Sequence, residues 1–511
     1  MTLTSSGPDE VRQDDVQPDE SRADEVAGDA AAGSEKRGRA ARDQGNEANR
    51  GRANDPEDLR AFTFEVAPEA LPDLVRAAGA PGCTLLRRSE YCLLGAGEAL
   101  RISLRAPWAG STALVARTLE AIETEAGAAG PVGGPVAMGA LPYDPSRSGY
   151  LSIPRLLVAQ RGGEAWATLV CNKNEPAPRS ETLHAELRKL VGAVPAGRPP
   201  DTFTLTPSLP HDEWQALVQR ALSELEEGRL AKVVLARRVD VDANRPFVLH
   251  DALARLVSLY PSCAVFRVEG FIGASPEILV RRTGTEILSH PLAGTVARSG
   301  NQASDDTLLA GLLASPKHRR EHRLVVDEIA SRLQPLCSGL DVPDEPSVIA
   351  LRNVSHLGTV LTGTLLPHAG AVRKLNAPNT AHTPNDAGAG AGVGPNDHDG
   401  GDESTARAPT ALEVAALLQP TPAVGGAPTE AALAWQAANE GFDRGWYAGP
   451  VGWVDSRGDG EWVLGLRSAY LEGQRASLYA GNGIVAGSDP QAELAETQLK
   501  LQALLAALVR P

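Results

Sequence analysis

The order of its apolar runs limits the fold of this chain more than any other feature. Short stretches of strand length, separated by Gly and Pro, are broken at intervals by long helical segments, with no regular strand–helix alternation. Between Ala61 and Cys171 such runs (Ala61–Val66, Ala99–Leu104, Gly149–Val158, Ala165–Cys171) predict strands joined by loops. From Asp212 the signals sharpen. Trp214, Leu217, Val218, Ala221, Leu222 and Leu225 fall at helical spacing and Gly228 ends the pattern, which predicts an amphipathic helix feeding a strand over Lys232–Val239. Further strands are predicted at Ala264–Val268, Ile278–Arg282, Ile287–Pro291, Ser347–Val354 and Val360–Leu366, with one long helix over Leu308–Leu336. Gly449–Val454 and Trp462–Tyr470 flank the turn-rich Ser456-Arg457-Gly458-Asp459-Gly460 and suit a hairpin. A strand Ala476–Ala480 leads through Gly481-Asn482-Gly483 to a terminal helix from Asp489-Pro490. The pattern is α+β.

Two segments lack any apolar period. Residues 1 to about 57 are rich in Asp, Glu, Gly, Ala and Arg and cannot offset the entropy of ordering a backbone, so a disordered acidic tail is expected. A stretch from about 368 to 409 has the same character and is far longer than ordinary connections, which makes it a surface insertion within one domain spanning 58–511. No run of about 18 apolar residues exists to span a bilayer, and Met1-Thr-Leu-Thr-Ser-Ser lacks the features of a signal peptide. A cytoplasmic location is expected. The five cysteines (Cys83, Cys92, Cys171, Cys263, Cys337) are scattered, form no metal-binding spacing and read as reduced. A net charge of −15 disfavours nucleic acid and anionic membranes as partners, so an anionic ligand needs local help from a metal or from placed basic side chains.

The residues that offer such help allow two readings each. Glu493, Glu496 and Lys500 lie three and four apart on the terminal helix and share one face. They form either a solvated ion pair or a carboxylate site for Mg2+, which takes one or two carboxylates plus substrate oxygens and water. Lys232 opens its strand either as a surface charge or, beside a cavity, as a general base whose neutral form burial would favour. Glu277, in Gly273-Ala274-Ser275-Pro276-Glu277, and Glu321, in Lys317-His318-Arg319-Arg320-Glu321-His322, are surface carboxylates or an acid catalyst and a metal ligand. His356 is a core histidine or a substrate contact. Gly481-Asn482-Gly483 is no nucleotide fingerprint, because the third glycine is missing; its permissive backbone leaves amides open to an anion.

Together these segments resemble the chorismate-utilising enzymes, which include isochorismate, salicylate, anthranilate and aminodeoxychorismate synthases. The resemblance runs from about Trp214 to Leu505, through Lys232–Arg237, Gly273–Leu279, Pro291–Thr295, Lys317–Asp327, Val354–Thr359, Thr421–Gly426, Gly449–Asp455, Gly458–Arg467 and Tyr479–Lys500. It implies a chorismate-binding fold of two packed, largely antiparallel sheets covered by helices on the outside. It also implies that Glu321 and Glu496 ligate Mg2+ with Glu493 in support. Arg467 and Lys500 then bind carboxylate with the backbone of Gly481 and Gly483, while Gly294, Thr295, His356 and Tyr447 line the pocket.

Within this group the ammonia-using synthases carry glutamine where Lys232 stands, so Lys232 points to water chemistry and to no obligatory glutaminase partner. Aminodeoxychorismate synthases commonly place a nucleophilic lysine where Ala293 stands. The segment Pro420-Thr421-Pro422-Ala423-Val424-Gly425-Gly426 is similar to isochorismate synthases and unlike the Thr-Ala-Ser-Gly type of salicylate synthases. The expectation is therefore reversible, Mg2+-dependent conversion of chorismate to isochorismate, with Lys232 as base toward water at C2 and Glu277 as acid toward the C4 hydroxyl. Its product would serve menaquinone, siderophore or salicylate formation. Alternatives are a salicylate synthase, which goes on to eliminate pyruvate, and a catalytically silent chorismate-binding protein. Two departures from the family pattern stand out: His318 follows Lys317 where an acidic or amide residue is common, and Gln419 replaces a histidine before Pro-Thr-Pro.

Overall fold

The computed structural model describes residues 55–125, 134–367 and 407–509. The tail expected over 1–57 and the insertion expected at about 368–409 lie outside these, apart from a few flanking residues. Asp55 caps a short 3-10 turn, Pro56–Asp58, by accepting from the Glu57 N–H.

The architecture is α+β, built on two large sheets. A 13-stranded sheet runs in the order Phe203–Pro207, Lys232–Ala243, Arg475–Ile484, Ser468–Glu472, Phe271–Ser275, Ala264–Val268, Cys83–Arg87, Tyr91–Ala96, Leu156–Arg161, Glu164–Asn172, Leu59–Glu65 and Glu123–Thr124, with Gly426–Ala427 paired to the start of Lys232–Ala243. A nine-stranded sheet runs Cys337–Asp341, Leu361–Leu365, Glu286–His290, Ile278–Thr283, Gly460–Leu464, Pro450–Asp455, Val136–Ala140, Gly149–Ile153 and Leu100–Leu104. Neighbours in both are antiparallel, except that Leu59–Glu65 and Glu123–Thr124 pair in parallel. A third sheet of three strands, Leu292–Ala297, Val354–Gly358 and Ser347–Ala350, adds to the two that were expected.

The sheets pack face to face where Phe266 and Phe271 of the larger meet Ile278, Val451 and Val463 of the smaller. The outer face of the larger sheet is covered by helices. Trp214, Leu217, Val218 and Ala221 of the helix His211–Glu226 pack on Val233, Leu235 and Ile484. Leu501, Leu504 and Leu508 of the terminal helix Pro490–Leu508 pack against Val239, Leu478 and Ala480. All five cysteines are free and buried.

Two predicted strands are each two strands that change sheet. Gly149–Val158 divides at Pro154, where the chain leaves the nine-stranded sheet as Gly149–Ile153 and enters the larger one as Leu156–Arg161. Trp462–Tyr470 divides at Gly465–Arg467 in the same way. Ser347–Val354 instead ends one strand, Ser347–Ala350, and begins the next, Val354–Gly358, with which it pairs in the three-stranded sheet. The long helix over 308–336 is two helices, Gln302–Ala314 and Pro316–Leu333, because Pro316 cannot continue the first and Ser315 caps the second by accepting from the His318 N–H. Gly481-Asn482-Gly483, expected as a link to the last helix, lies inside the strand Arg475–Ile484.

Candidate active site

The strand Lys232–Ala243 fixes the site by its period of two. Val233 and Leu235 point out under the helices, so Lys232 and Val234 point the other way and line a cavity. Lys232 is only 1% exposed. In register beside it, Gly483 faces Val234 and Gly481 faces Ala236. Val234 and Ala236 send their own N–H groups elsewhere, to Gly425 O at 2.9 Å and Glu440 Oε1 at 2.8 Å. The two glycines thus hold the non-hydrogen-bonded positions of this ladder. A side chain at Gly483 has no room, since an added Cβ would lie 2.4 Å from Glu321 Oε1 and 2.6 Å from Lys232 Cε. At Gly481 it would lie 2.9 Å from the Tyr447 hydroxyl.

All the expected site residues except Glu493 line this one cavity: Lys232, Glu277, Gly294, Thr295, Glu321, His356, Tyr447, Arg467, Gly481, Gly483, Glu496 and Lys500. Glu277 follows Pro276 where the chain passes from the strand Phe271–Ser275 to the strand Ile278–Thr283, and so between the two large sheets. Burial pushes its carboxyl up to about 8, against the smaller lowering effects of the Leu292 N–H and of Lys232 and Lys500. It is therefore a protonated acid near neutral pH.

Arg467 sits at a similar crossing, between Gly460–Leu464 of the smaller sheet and Ser468–Glu472 of the larger, with a left-handed backbone at φ 47°. Its Nη2 donates to His356 Nε2 at 2.7 Å, and its Nη1 is buried without a hydrogen-bond partner. Because guanidinium only donates, His356 carries its proton on Nδ1, which lies 3.2 Å from Gly294 O and 3.1 Å from Thr295 Oγ1. Burial, then the charges of Arg467 and Lys500, hold His356 well below the usual imidazole range and neutral. The guanidinium thus keeps both N–H groups of Nη1 for an anion.

Each expected metal carboxylate is paired with a lysine. Glu321 Oε1 lies 3.1 Å from Lys232 Nζ, Glu496 Oε1 lies 2.7 Å from Lys500 Nζ, and Glu493 Oε1 accepts from Lys317 Nζ at 3.0 Å. Burial raises the Glu321 carboxyl, but Lys232 with Lys500 and His318 together outweigh this and the net shift is downward. Burial and then repulsion from Glu496 raise Glu493, which stands behind the cavity and also accepts from Asn482. Among the described residues no three His, Cys, Asp or Glu side chains converge closely enough to hold an ion by themselves. The donor set on the cavity wall is Glu321 and Glu496, hard oxygen ligands two in number. This fits Mg2+, which commonly takes one or two carboxylates and completes its shell with substrate oxygens and water.

Sequence reasoning missed Arg444, Tyr479 and Asn482, which also line the cavity. Tyr479 had a readable signal, since it shares a strand face with Gly481 and Gly483 at spacings of two and four, and it stacks on Tyr447 with ring centroids 5.2 Å apart. Arg444 is buried in an ion pair with Glu440, four residues earlier. Of the two departures from the family pattern, Gln419 donates to Tyr143 O at 3.3 Å and Ala448 O at 3.1 Å. His318 packs on Gly294, where an added Cβ would lie 3.2 Å from His318 Cβ.

Comparison with known proteins identifies the family. The family model described as chorismate binding enzyme matches residues 85–377 and 404–509. Isochorismate synthase DhbC of Bacillus subtilis is 31% identical over 73% of this chain and 81% of its own length. Isochorismate synthase EntC of Escherichia coli is 31% identical over 73% of this chain and 80% of its own. The solved structure of MenF, the menaquinone-specific isochorismate synthase of Escherichia coli, superposes with a TM-score of 0.67 at 26% identity, covering 88% of this chain and 94% of that one. With the family model matching most of the chain and relatives of 31% identity covering 73% of it, this protein is a member of the chorismate-binding enzyme family.

Proposed function

We propose that this chain is an isochorismate synthase, converting chorismate reversibly to isochorismate by adding water at C2 and releasing the C4 hydroxyl. The observation that carries the reading is the pairing of Lys232 with a protonated Glu277 in one cavity. Lys232 takes a proton from the attacking water, and Glu277 gives its proton to the departing hydroxyl. One water enters and one leaves, so the proton gained by the lysine balances the one lost by the carboxyl.

Arg467 supplies the free Nη1 to a substrate carboxylate, and Lys500 on the terminal helix, bonded to Gly481 O at 2.8 Å and to Glu496, supplies a second cation. Glu321 and Glu496 would hold Mg2+, whose bound charge offers Lewis-acid stabilisation to a substrate carboxylate. Tyr447 and Tyr479 stack on each other and line the same cavity. Ala293 offers no nucleophile, which supports attack by water over a covalent route.

Product analysis tests the reading. Purified protein incubated with chorismate and Mg2+ is expected to give isochorismate without pyruvate, and Lys232→Ala is expected to bind chorismate without turnover. Salicylate with stoichiometric pyruvate would instead establish a salicylate synthase, and binding without any product would establish a silent binding protein.

A further inference from the structure

Outside the active cavity lies a second, open cleft that the proposed chemistry does not use. Arg444, Tyr447 and Tyr479 line both, so the cleft and the cavity share a wall. The cleft adds Tyr150, Trp446 and Tyr470, with the buried Phe271 beneath them. Trp446 stands among these rings, its centroid 6.3 Å from Tyr150, 6.0 Å from Phe271 and 6.3 Å from Tyr470. Tyr470 is 37% exposed. The chain has seven tyrosines and four of them line this one cleft, so its wall is composed like an interface, where tyrosine and tryptophan are enriched over the rest of the surface.

Its charges define what the cleft can hold. The charged residues of the lining are Glu269, Asp443 and Arg444. Arg444 is buried and neutralised by Glu440, which leaves two exposed carboxylates. Glu269 accepts from the Tyr150 hydroxyl, and Asp443 pairs with Arg147 at 2.7 Å. Both side chains of that pair are more than half exposed, so it is worth no more than about 1 kcal/mol and exchanges readily. Aromatic faces attract guanidinium, and Arg101 already lies 4.3 Å from the Tyr150 ring centroid. Rings and carboxylates together fit a segment rich in arginine.

The chain supplies such a segment. Residues 1–54 lie outside the described ones and are acidic as far as Asp29, yet Lys36-Arg37-Gly38-Arg39-Ala40-Ala41-Arg42 holds four cations and no acid. Reach selects among the basic residues here. In the larger sheet the strand Leu59–Glu65 stands seven places from Ser468–Glu472, which carries Tyr470. At the usual strand spacing that is roughly 34 Å along the sheet. An extended chain covers at most roughly 3.5 Å per residue. Arg50 and Arg52, nine and seven residues before Leu59, fall short of it; Arg42, 17 residues before, does not.

We propose that the cleft lined by Tyr150, Trp446, Tyr470 and Tyr479 is a docking surface, and that its occupant is the segment 36–42 of the same chain. Its guanidinium groups lie on the ring faces and pair with Glu269 and Asp443, beside the wall of the active cavity. The inference does not depend on which reaction that cavity catalyses.

A fluorescent peptide of residues 34–44 tests it, titrated by polarisation against two full-length proteins. One is the wild type; the other carries Lys36→Gln, Arg37→Gln, Arg39→Gln and Arg42→Gln. The variant is expected to bind the peptide. The wild type is expected to bind it at least about tenfold more weakly, because a segment tethered near its own site competes at an effective concentration on the order of mM. Adding Glu269→Gln and Asp443→Asn, both exposed positions, should weaken the variant's binding by roughly tenfold without unfolding it. Equal binding by wild type and variant would mean that the cleft takes basic segments of another protein, and no binding by the variant that it takes none. Either result overturns the proposal. Full affinity after the two amide substitutions would overturn it as well, since the peptide would then sit elsewhere.

Discussion

Glu277 combines two demands that usually conflict, a buried carboxyl and a usable proton. Glu277→Gln is expected to cut turnover by roughly 10²–10⁴-fold, the usual worth of a general acid, while chorismate binding survives. The same variant tests the protonation state without kinetics. The folded carboxyl titrates near 8, above the carboxylate range of the unfolded chain, so between those values the native state keeps a proton that the unfolded state releases. Stability contributed by that proton is present at low pH and lost as pH rises through the window. The Tm of Glu277→Gln relative to wild type should therefore climb between about pH 5 and pH 8; a flat difference would mean that Glu277 ionises normally. Gly483 sets the opposite kind of limit. With an added Cβ 2.4 Å from Glu321 Oε1 and 2.6 Å from Lys232 Cε, Gly483→Ala must push the two groups apart. Activity is expected to fall about 100-fold, with an overpacking cost of about 1–3 kcal/mol measurable by urea unfolding. Near-normal turnover would separate the Lys232–Glu321 contact from catalysis. Lys232, Glu277 and Arg467 were legible because each stands in a distinctive local motif. Arg444 and Gln436 were not, since their work is to bond carbonyls more than 200 positions away, at Val234, and no local pattern encodes that.

At the scale of elements, sequence periodicity found the strands but not their changes of sheet. Gly149–Val158 reads as one apolar run, yet Pro154 marks where it crosses. Trp462–Tyr470 reads likewise, and its crossing depends on a left-handed Arg467 that no propensity favours. The apolar run continues across each crossing although the cores differ: Leu151 and Ile153 pack in one cluster and Leu156 and Val158 in another, and Trp462 and Leu464 are likewise separated from Ala469. The two crossings past Ser275 and Leu464 carry Glu277 and Arg467, so the elements that were hardest to read hold chemistry. Helix caps are more transparent. Asp489 precedes Pro490 at the start of the terminal helix and accepts from the Ala492 N–H at 2.8 Å. Asp489→Ala should cost about 1 kcal/mol of stability. Because fraying begins in the first turn, where Glu493 lies, it should also weaken the Mg2+ dependence of activity more than the KM for chorismate; equal effects on both would argue that the first turn stays formed.

The whole molecule explains why a chain whose candidate site residues all lie between Lys232 and Lys500 carries so much structure before them. The N-terminal strands do not form a separate layer. Cys83–Arg87 pairs with Ala264–Val268 in the larger sheet, and Val136–Ala140 pairs with Pro450–Asp455 in the smaller, so the early segment extends both sheets. Leu93, Leu157 and Ala159 then meet Val136 and Met138 in a core of their own between the sheets. Tyr143, from the same early segment, donates to Gln436, whose amide bonds the Val234 carbonyl two residues past Lys232. A fragment beginning at residue 200 would keep every candidate catalytic and binding residue but expose two long sheet edges and the apolar faces of Phe266 and Val451, a combination that favours edge-to-edge association. It is expected to aggregate or to lack a cooperative thermal transition, read by size-exclusion chromatography and circular dichroism, and to show no isochorismate formation. A monodisperse, cooperatively melting fragment with activity would mean that the early strands of both sheets are an appendage to the site.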